Sequence, residues 1–108
     1  MDQLQILEKR SQELQSTFEE LLESRNVYYN HPASVNMNYP AIVFKRSRIN
    51  NTFANNSVYR QTYPYEVTVI THDPDDSIIY KVSILPMCSF DRSFVSDNLH
   101  HSVFTLNY

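Results

Sequence analysis

The chain has 108 residues, a formal charge of −3 and not one glycine, where an average composition would supply roughly eight. That absence excludes every mechanism resting on a glycine-rich turn: the P-loop, the dinucleotide fingerprint, the nucleophile elbow and the EF-hand loop. The acidic balance argues against a general nucleic-acid or membrane binder, and no apolar run approaches the ~18 residues of a spanning helix.

The remaining composition describes one small α+β domain over residues 1–108. Surface scaling predicts about 6,300 Å² of accessible surface folded against about 18,600 Å² unfolded, enough for a single modest core. Neither a signal peptide nor an anchor is expected from the polar N-terminus. The single cysteine, Cys88, has no internal partner and points to a reducing compartment. Ten asparagines accompany the missing glycines, and Asn tolerates positive φ better than most residues, so tight turns are expected to be Asn turns.

Residues 2–25 read as a helix. Leu4, Leu7, Leu14, Phe18, Leu21 and Leu22 recur at steps of three and four, and polar residues fill the other face. Asp2 is placed to cap its start and Arg25 to complement its end. The stripe also fits an a/d pattern, but packing on a sheet is favoured over a coiled coil. Val27 to Asn30 reads as a short strand, ended by His31-Pro32, and Ala41-Ile42-Val43-Phe44 as a second that continues into Lys45-Arg46.

Residues 47–57 are a long polar interruption with two Asn-Asn pairs, more than an ordinary hairpin turn needs. Between Phe44 and Tyr65 there is no acid, whereas Arg46, Arg48 and Arg60 are basic. The segment is either a contact surface or a solvated loop. Val58 to Thr71 reads as one long strand in which Pro64 implies an edge position or a bulge. Asp73 is expected to cap a second helix over 75–85, with Pro74 in its first turn and Ile78, Ile79, Val82 and Leu85 on one face. Pro86 ends it. Two last segments, 87–94 and 102–108, flank Asp97-Asn98 and should form an antiparallel hairpin. The order α-β-β-β-α-β-β gives an antiparallel sheet of about five strands flanked by two helices.

Chemistry is sparse. Cys88, Asp91 and His100 or His101 contain the elements of a thiol nucleophile, yet Cys88 is expected to face inward, where cysteine behaves as a small hydrophobe. His100 and His101 are adjacent on a strand and should point to opposite faces, which is unsuitable for one metal ion. His72 with Asp73, Asp75 and Asp76 resembles an acidic metal loop, but helix capping already accounts for the carboxylates. No catalytic, cofactor or metal residue is assigned. In Phe90-Asp91-Arg92-Ser93-Phe94, strict alternation puts Arg92 on the face of both phenylalanines and Asp91 opposite, which suggests a sheet edge or an ion pair. Eight tyrosines exceed what one small core requires and suit a subunit contact.

The run Leu85-Pro86-Met87-Cys88-Ser89-Phe90-Asp91-Arg92, then Asp97-Asn98-Leu99-His100, then Phe104-Thr105-Leu106, resembles the small tail-completion proteins of tailed bacteriophages. So do Tyr28-Tyr29, Pro32 to Val35, Tyr39 to Val43 and Tyr65 to Ile70 before Asp73-Pro74-Asp75, so that the resemblance spans about residues 28–108. It implies a tail terminator: a neck protein forming a hexameric ring between the tail tube and the head connector, resident in the virion after assembly in the host bacterial cytoplasm. It also implies that residues 47–57 form an extended hairpin or arm reaching a neighbour or the tube. The candidate contact residues are then Arg46, Arg48, Asn51, Phe53, Asn55, Arg60, Asp91 and Arg92. No cofactor, membrane or specific nucleic acid is implied, beyond the DNA channel such a ring encloses. The alternatives are the head-side stopper or adaptor of the same neck, a small nucleic-acid-binding module using the arginines, and a hydrolase built on Cys88.

Overall fold

A computed structural model of the chain describes residues 3–30, 37–47, 50–55, 57–62 and 64–107. Helix α1 (Gln3–Leu22) is followed by strands β1 (Val27–Tyr29), β2 (Ala41–Arg46), β3 (Asn50–Ala54), β4 (Ser57–Thr62) and β5 (Pro64–Thr71). Helix α2 (Ser77–Ser83) and strands β6 (Cys88–Ser96) and β7 (Leu99–Asn107) complete the chain. Five strands form one mixed sheet in the order β1-β2-β5-β7-β6, and β3 pairs only with β4 in a separate ribbon. The fold is α+β, as the element order implies.

The sheet is antiparallel except that β1 runs parallel to β2, with Val27 opposite Ile42. The 11 residues between these strands are long enough to carry the chain back to the starting end of the sheet, where a two-residue turn would have made a hairpin. The expected long strand 58–71 is two strands, because the chain leaves the sheet for the ribbon and re-enters at Pro64. Pro64 therefore sits neither on an edge nor at a bulge. It is the first residue of the central strand β5, a position that tolerates a missing N–H. The Ser47 N–H donates to the Pro64 carbonyl at 3.0 Å and closes the base of the ribbon.

Both helices lie on one face of the sheet. Alternate residues Ile42 and Phe44 of β2, Tyr65, Val67 and Val69 of β5, and Phe104 and Leu106 of β7 meet Leu14 and Phe18 of α1 and Ile78 and Val82 of α2. Packing on the sheet is thus the use made of the α1 stripe. Phe44 is the centre of an aromatic cluster, with ring centroids 5.2 Å from Phe18, 4.9 Å from Tyr29 and 6.2 Å from Tyr65. The Tyr65 hydroxyl reaches the Ser11 hydroxyl at 3.4 Å, which fixes the first half of α1 over the ribbon end of the sheet.

Helix α1 ends three residues before Arg25, so no basic residue lies in its last turn. Its end is a Schellman motif: the Glu23 N–H donates to Glu20 and the Ser24 N–H to Glu19, with Glu23 at φ 57°. A residue with a Cβ costs about 1 kcal/mol there, and a carboxylate at the negative end of the helix adds to that cost. Glu23→Gly is expected to stabilise the protein by about 1 kcal/mol in urea unfolding; an unchanged or lowered midpoint would refute this.

Helix α2 starts later than expected. Asp76, not Asp73, is its N-cap, accepting from the Ile78 N–H at 3.0 Å. Asp73 instead holds the preceding turn through the Asp75 N–H at 2.9 Å. The reason is a local bond: the Thr71 hydroxyl donates to the Asp73 carbonyl at 2.8 Å, which ties that turn to the end of β5. Ile78 and Val82 are buried, with Ile79 and Leu85 packed beside them.

Turns without glycine follow the expected chemistry. β6 and β7 are joined by Asp97 and Asn98 at φ 52° and 61°, the signature of a type I′ turn. Asn30 and Asn55 also take positive φ, at 49° and 53°. Glu23 and Met87, at 57° and 62°, show that the chain also uses residues with no such preference.

Candidate interaction surface

The expected arm is the β3–β4 ribbon. Thr52 opposes Arg60, Asn51 opposes Gln61, and a register irregularity follows Thr52 before Phe53 opposes Val58. Asn51, Phe53, Asn55 and Arg60 are thereby brought together on one projecting hairpin, while Arg48 lies outside the described residues. Arg46, the last residue of β2, stands at the root of the arm opposite Tyr65, and its Nε is buried without a hydrogen-bond partner among the described residues. The molecule measures 50 × 26 × 25 Å with a radius of gyration of 15.1 Å, against about 13 Å for a compact chain of this length. Its accessible surface of 7169 Å² exceeds the ~6,300 Å² of a compact body for the same reason.

Asp91 and Arg92 stand on the edge strand β6 and line a groove with Glu66, Thr105 and Ser47, the residue at the base of the arm. A register shift separates Phe90, opposite Phe104, from Arg92, opposite Val103. This β-bulge makes Asp91 an extra residue and reverses the facing of everything after it. Phe90 therefore lies on the helix side, 5.7 Å from Phe104, whereas Arg92 and Phe94 lie on the opposite, helix-free side. The expectation that Phe90, Arg92 and Phe94 share a face fails at this one inserted residue. Neither phenylalanine is in the core: Phe90 is 61% exposed and Phe94 44%.

On the helix-free face Arg92 closes a chain of charges. Its guanidinium meets Asp91 at 2.6 Å and Glu66 at 3.5 Å, and Glu66 meets Lys45 at 3.8 Å. Asn30, Val43 and Thr68 complete a groove beside the Lys45–Glu66 pair. These side chains are largely solvated, so the pairs contribute at most about 1 kcal/mol each and act chiefly to order the face.

Sequence reasoning missed the rest of the β6 edge. All residues from Ser89 to Ser96 are exposed, and Val95 at 62% and Met87 at 69% join the two phenylalanines. Phe94 stacks on His101 at 4.7 Å with ring planes 13° apart. The signal available was the alternation itself, which cannot tell a face that is covered from one that is not. The two helices are too few and α2 too short, at seven residues, to cover a fifth strand.

The tyrosines divide between core and surface. Tyr65 is fully buried and Tyr28 half-buried, whereas Tyr80 is 65% exposed on α2. Tyr39 meets His72 edge-on at 5.9 Å. Tyr63 and Tyr108 lie outside the described residues.

The candidate chemical groups stay apart. His100 opposes Val95 and His101 opposes Phe94, so the two imidazoles belong to opposite faces of β7, as the sequence implies. Among the described residues no three His, Cys, Asp or Glu side chains converge as a metal cluster. Cys88 packs against the core, and burial raises its thiol above the ordinary cysteine range. A raised pKa leaves less thiolate at neutral pH, the opposite of what a nucleophile needs. The expected result is alkylation by iodoacetamide at pH 7.5 several-fold slower in the native than in the urea-unfolded protein. The sign also fixes a stability trend: the contribution is present below the unfolded thiol's pKa and is lost as pH rises through the folded one. Equal alkylation rates would show Cys88 to be freely ionising.

Comparison with protein families, characterised proteins and solved structures found no match to the chain.

Proposed function

We propose that this chain is a structural protein of a tailed-bacteriophage neck, a tail terminator that assembles as a hexameric ring, caps the tail tube and joins it to the head connector. The residue resemblance across positions 28–108 suggests the family. The observation that supports a structural role is the edge strand β6: nine residues paired with β7 on one side only and presenting Phe90, Phe94 and Val95 to solvent. Natural proteins normally blunt such an edge, because it is a template for pairing with another chain. The bulge at Asp91 and the Asp91–Arg92 pair blunt strand addition in the middle of β6, so what this edge offers a partner is its exposed apolar side chains, and that partner is the tail tube or connector.

Electron microscopy of the purified protein with tail tubes tests the reading. Six-fold rings seated on tube ends are the expected result. Twelve-fold rings on the head side would reassign the chain as an adaptor, and a strictly monomeric protein without affinity for tubes would overturn the proposal.

A further inference from the structure

The two edges of the sheet are finished differently. On β1 the Gln15 carboxamide donates to the Val27 carbonyl at 2.9 Å, so a side chain of α1 stands where another strand would pair. On β6 the residues from Ser89 to Ser96 are all exposed, and the centre of the strand is an acid beside a base. Asp91 and Arg92 meet at 2.6 Å with side chains still 48% and 56% exposed, so both keep hydrogen-bonding capacity for a second partner. The bulge at Asp91 separates two halves of opposite facing. Before it, Cys88 and Phe90 lie on the helix side and Ser89 on the helix-free side; after it, Ser93 and Val95 lie on the helix side and Phe94 on the other. A regularly alternating strand laid antiparallel along β6 therefore keeps its facing matched over one half only. A second copy matches both halves when the two bulges meet, because each half then runs beside the other half of its neighbour. That register sets Asp91 of each copy opposite Arg92 of the other. It also sets Phe90 opposite Ser93 and Phe94 opposite Ser89, a large side chain against a small one on each face of the sheet.

We propose that two copies of this chain associate through β6 about a two-fold axis at the Asp91–Arg92 step, with their bulges in register. The contact is isologous: each copy gives the same surface, so association closes at two. At the axis two carboxylates and two guanidiniums alternate in sign, and side chains rather than a continuous ladder hold the centre, where the bulge interrupts pairing. Nine residues of strand span about 30 Å and, with side chains on both faces, cover roughly 500–600 Å² per copy. That total lies at the low end of specific interfaces, which suits a dimer that forms reversibly. On the function proposed above, the same apolar side chains meet the tail tube or connector, so the dimer covers the edge until that partner displaces the second copy. The dimer itself does not rest on that function.

Sedimentation velocity of the purified chain without tail tubes, over roughly 1–100 μM protein, tests the contact. The expected result is a monomer–dimer equilibrium with no larger species. Asp91→Arg and Arg92→Asp, made separately, each gather four like charges at the axis and should weaken the dimer at least about tenfold. An equimolar mixture of the two should regain it, because one variant brings only bases to the axis and the other only acids. That recovery also shows both variants to be folded. A chain that stays monomeric or grows beyond two over this range, variants that dimerise like the wild type, or a mixture no better than its components overturns the contact. If six-fold rings on tail tubes form nonetheless, the neck reading stands while this contact falls. A dimer with the expected variant behaviour and no affinity for tubes would leave the contact standing and remove the neck reading.

Discussion

Phe44→Ala is expected to lower the free energy of unfolding by about 3–5 kcal/mol, a large part of the roughly 5–15 kcal/mol that holds a small domain together. Phe44 is 1% exposed and sits where α1, β1 and the centre of the sheet meet. Its removal deletes an edge-to-face contact with Phe18 and contacts with the rings of Tyr29 and Tyr65 together. The cavity cannot collapse easily, because Phe18 is anchored on a 20-residue helix and Tyr65 on the central strand. Urea denaturation followed by circular dichroism reads the effect as a fall in midpoint at unchanged slope. A loss below about 1 kcal/mol would mean that the helix slides in to fill the gap and that the cluster is not the keystone of the core.

Phe90→Ser and Val95→Lys are expected to do the reverse, sparing stability and, on the function proposed above, removing association with the tail tube. Both residues lie on the helix side of β6 beyond the reach of the helices, 61% and 62% exposed. Val95→Lys should therefore change stability by no more than about 0.5 kcal/mol, and Phe90→Ser by about 1 kcal/mol through the contact with Phe104. If β6 is the partnered edge, each substitution removes an apolar anchor from the middle of the interface, and Lys adds a charge to a surface that must be desolvated. Losses at such positions run to about 2 kcal/mol or more in binding, roughly a thirtyfold weakening. Co-sedimentation with tail tubes measures it. Variants that bind as tightly as the wild type would remove β6 from the interface.

The two experiments concern one property of the fold, a sheet one strand wider than its helical cover. Much of the fold was legible in the residues. The three- and four-residue spacing of Leu14, Phe18 and Leu21 specifies a helix that packs on a sheet, and Asp97-Asn98 specifies the turn that pairs β6 with β7. Ile78 and Val82 mark the buried face of α2. The α2 cap was misplaced because the Thr71 hydroxyl and the Asp75 N–H engage Asp73 in the preceding turn, local bonds that leave Asp76 to cap the helix.

The described candidate contact residues fall on two parts of the fold. Asn51, Phe53, Asn55 and Arg60 stand together on the arm, since polarity and asparagine pairs mark a reversal wherever the fold places it. Asp91 and Arg92 stand on β6 and reach only the base of the arm, at Ser47, and the bulge that separates Phe90 from Phe94 has no sequence signature, because an inserted residue looks like any other until its partner strand is known.

The missing glycines and the surplus asparagines thus determine something local and complete: which turns the backbone makes, and which chemistries it does not attempt. Local steric preference is a property of each residue with its neighbours, so it can be read in order along the chain. Edges and ends are different. That β6 is outermost and that Pro64 opens the central strand both depend on pairings between residues far apart in sequence. Those pairings are settled by burying the largest apolar area under two helices, and only the assembled sheet decides what is left uncovered.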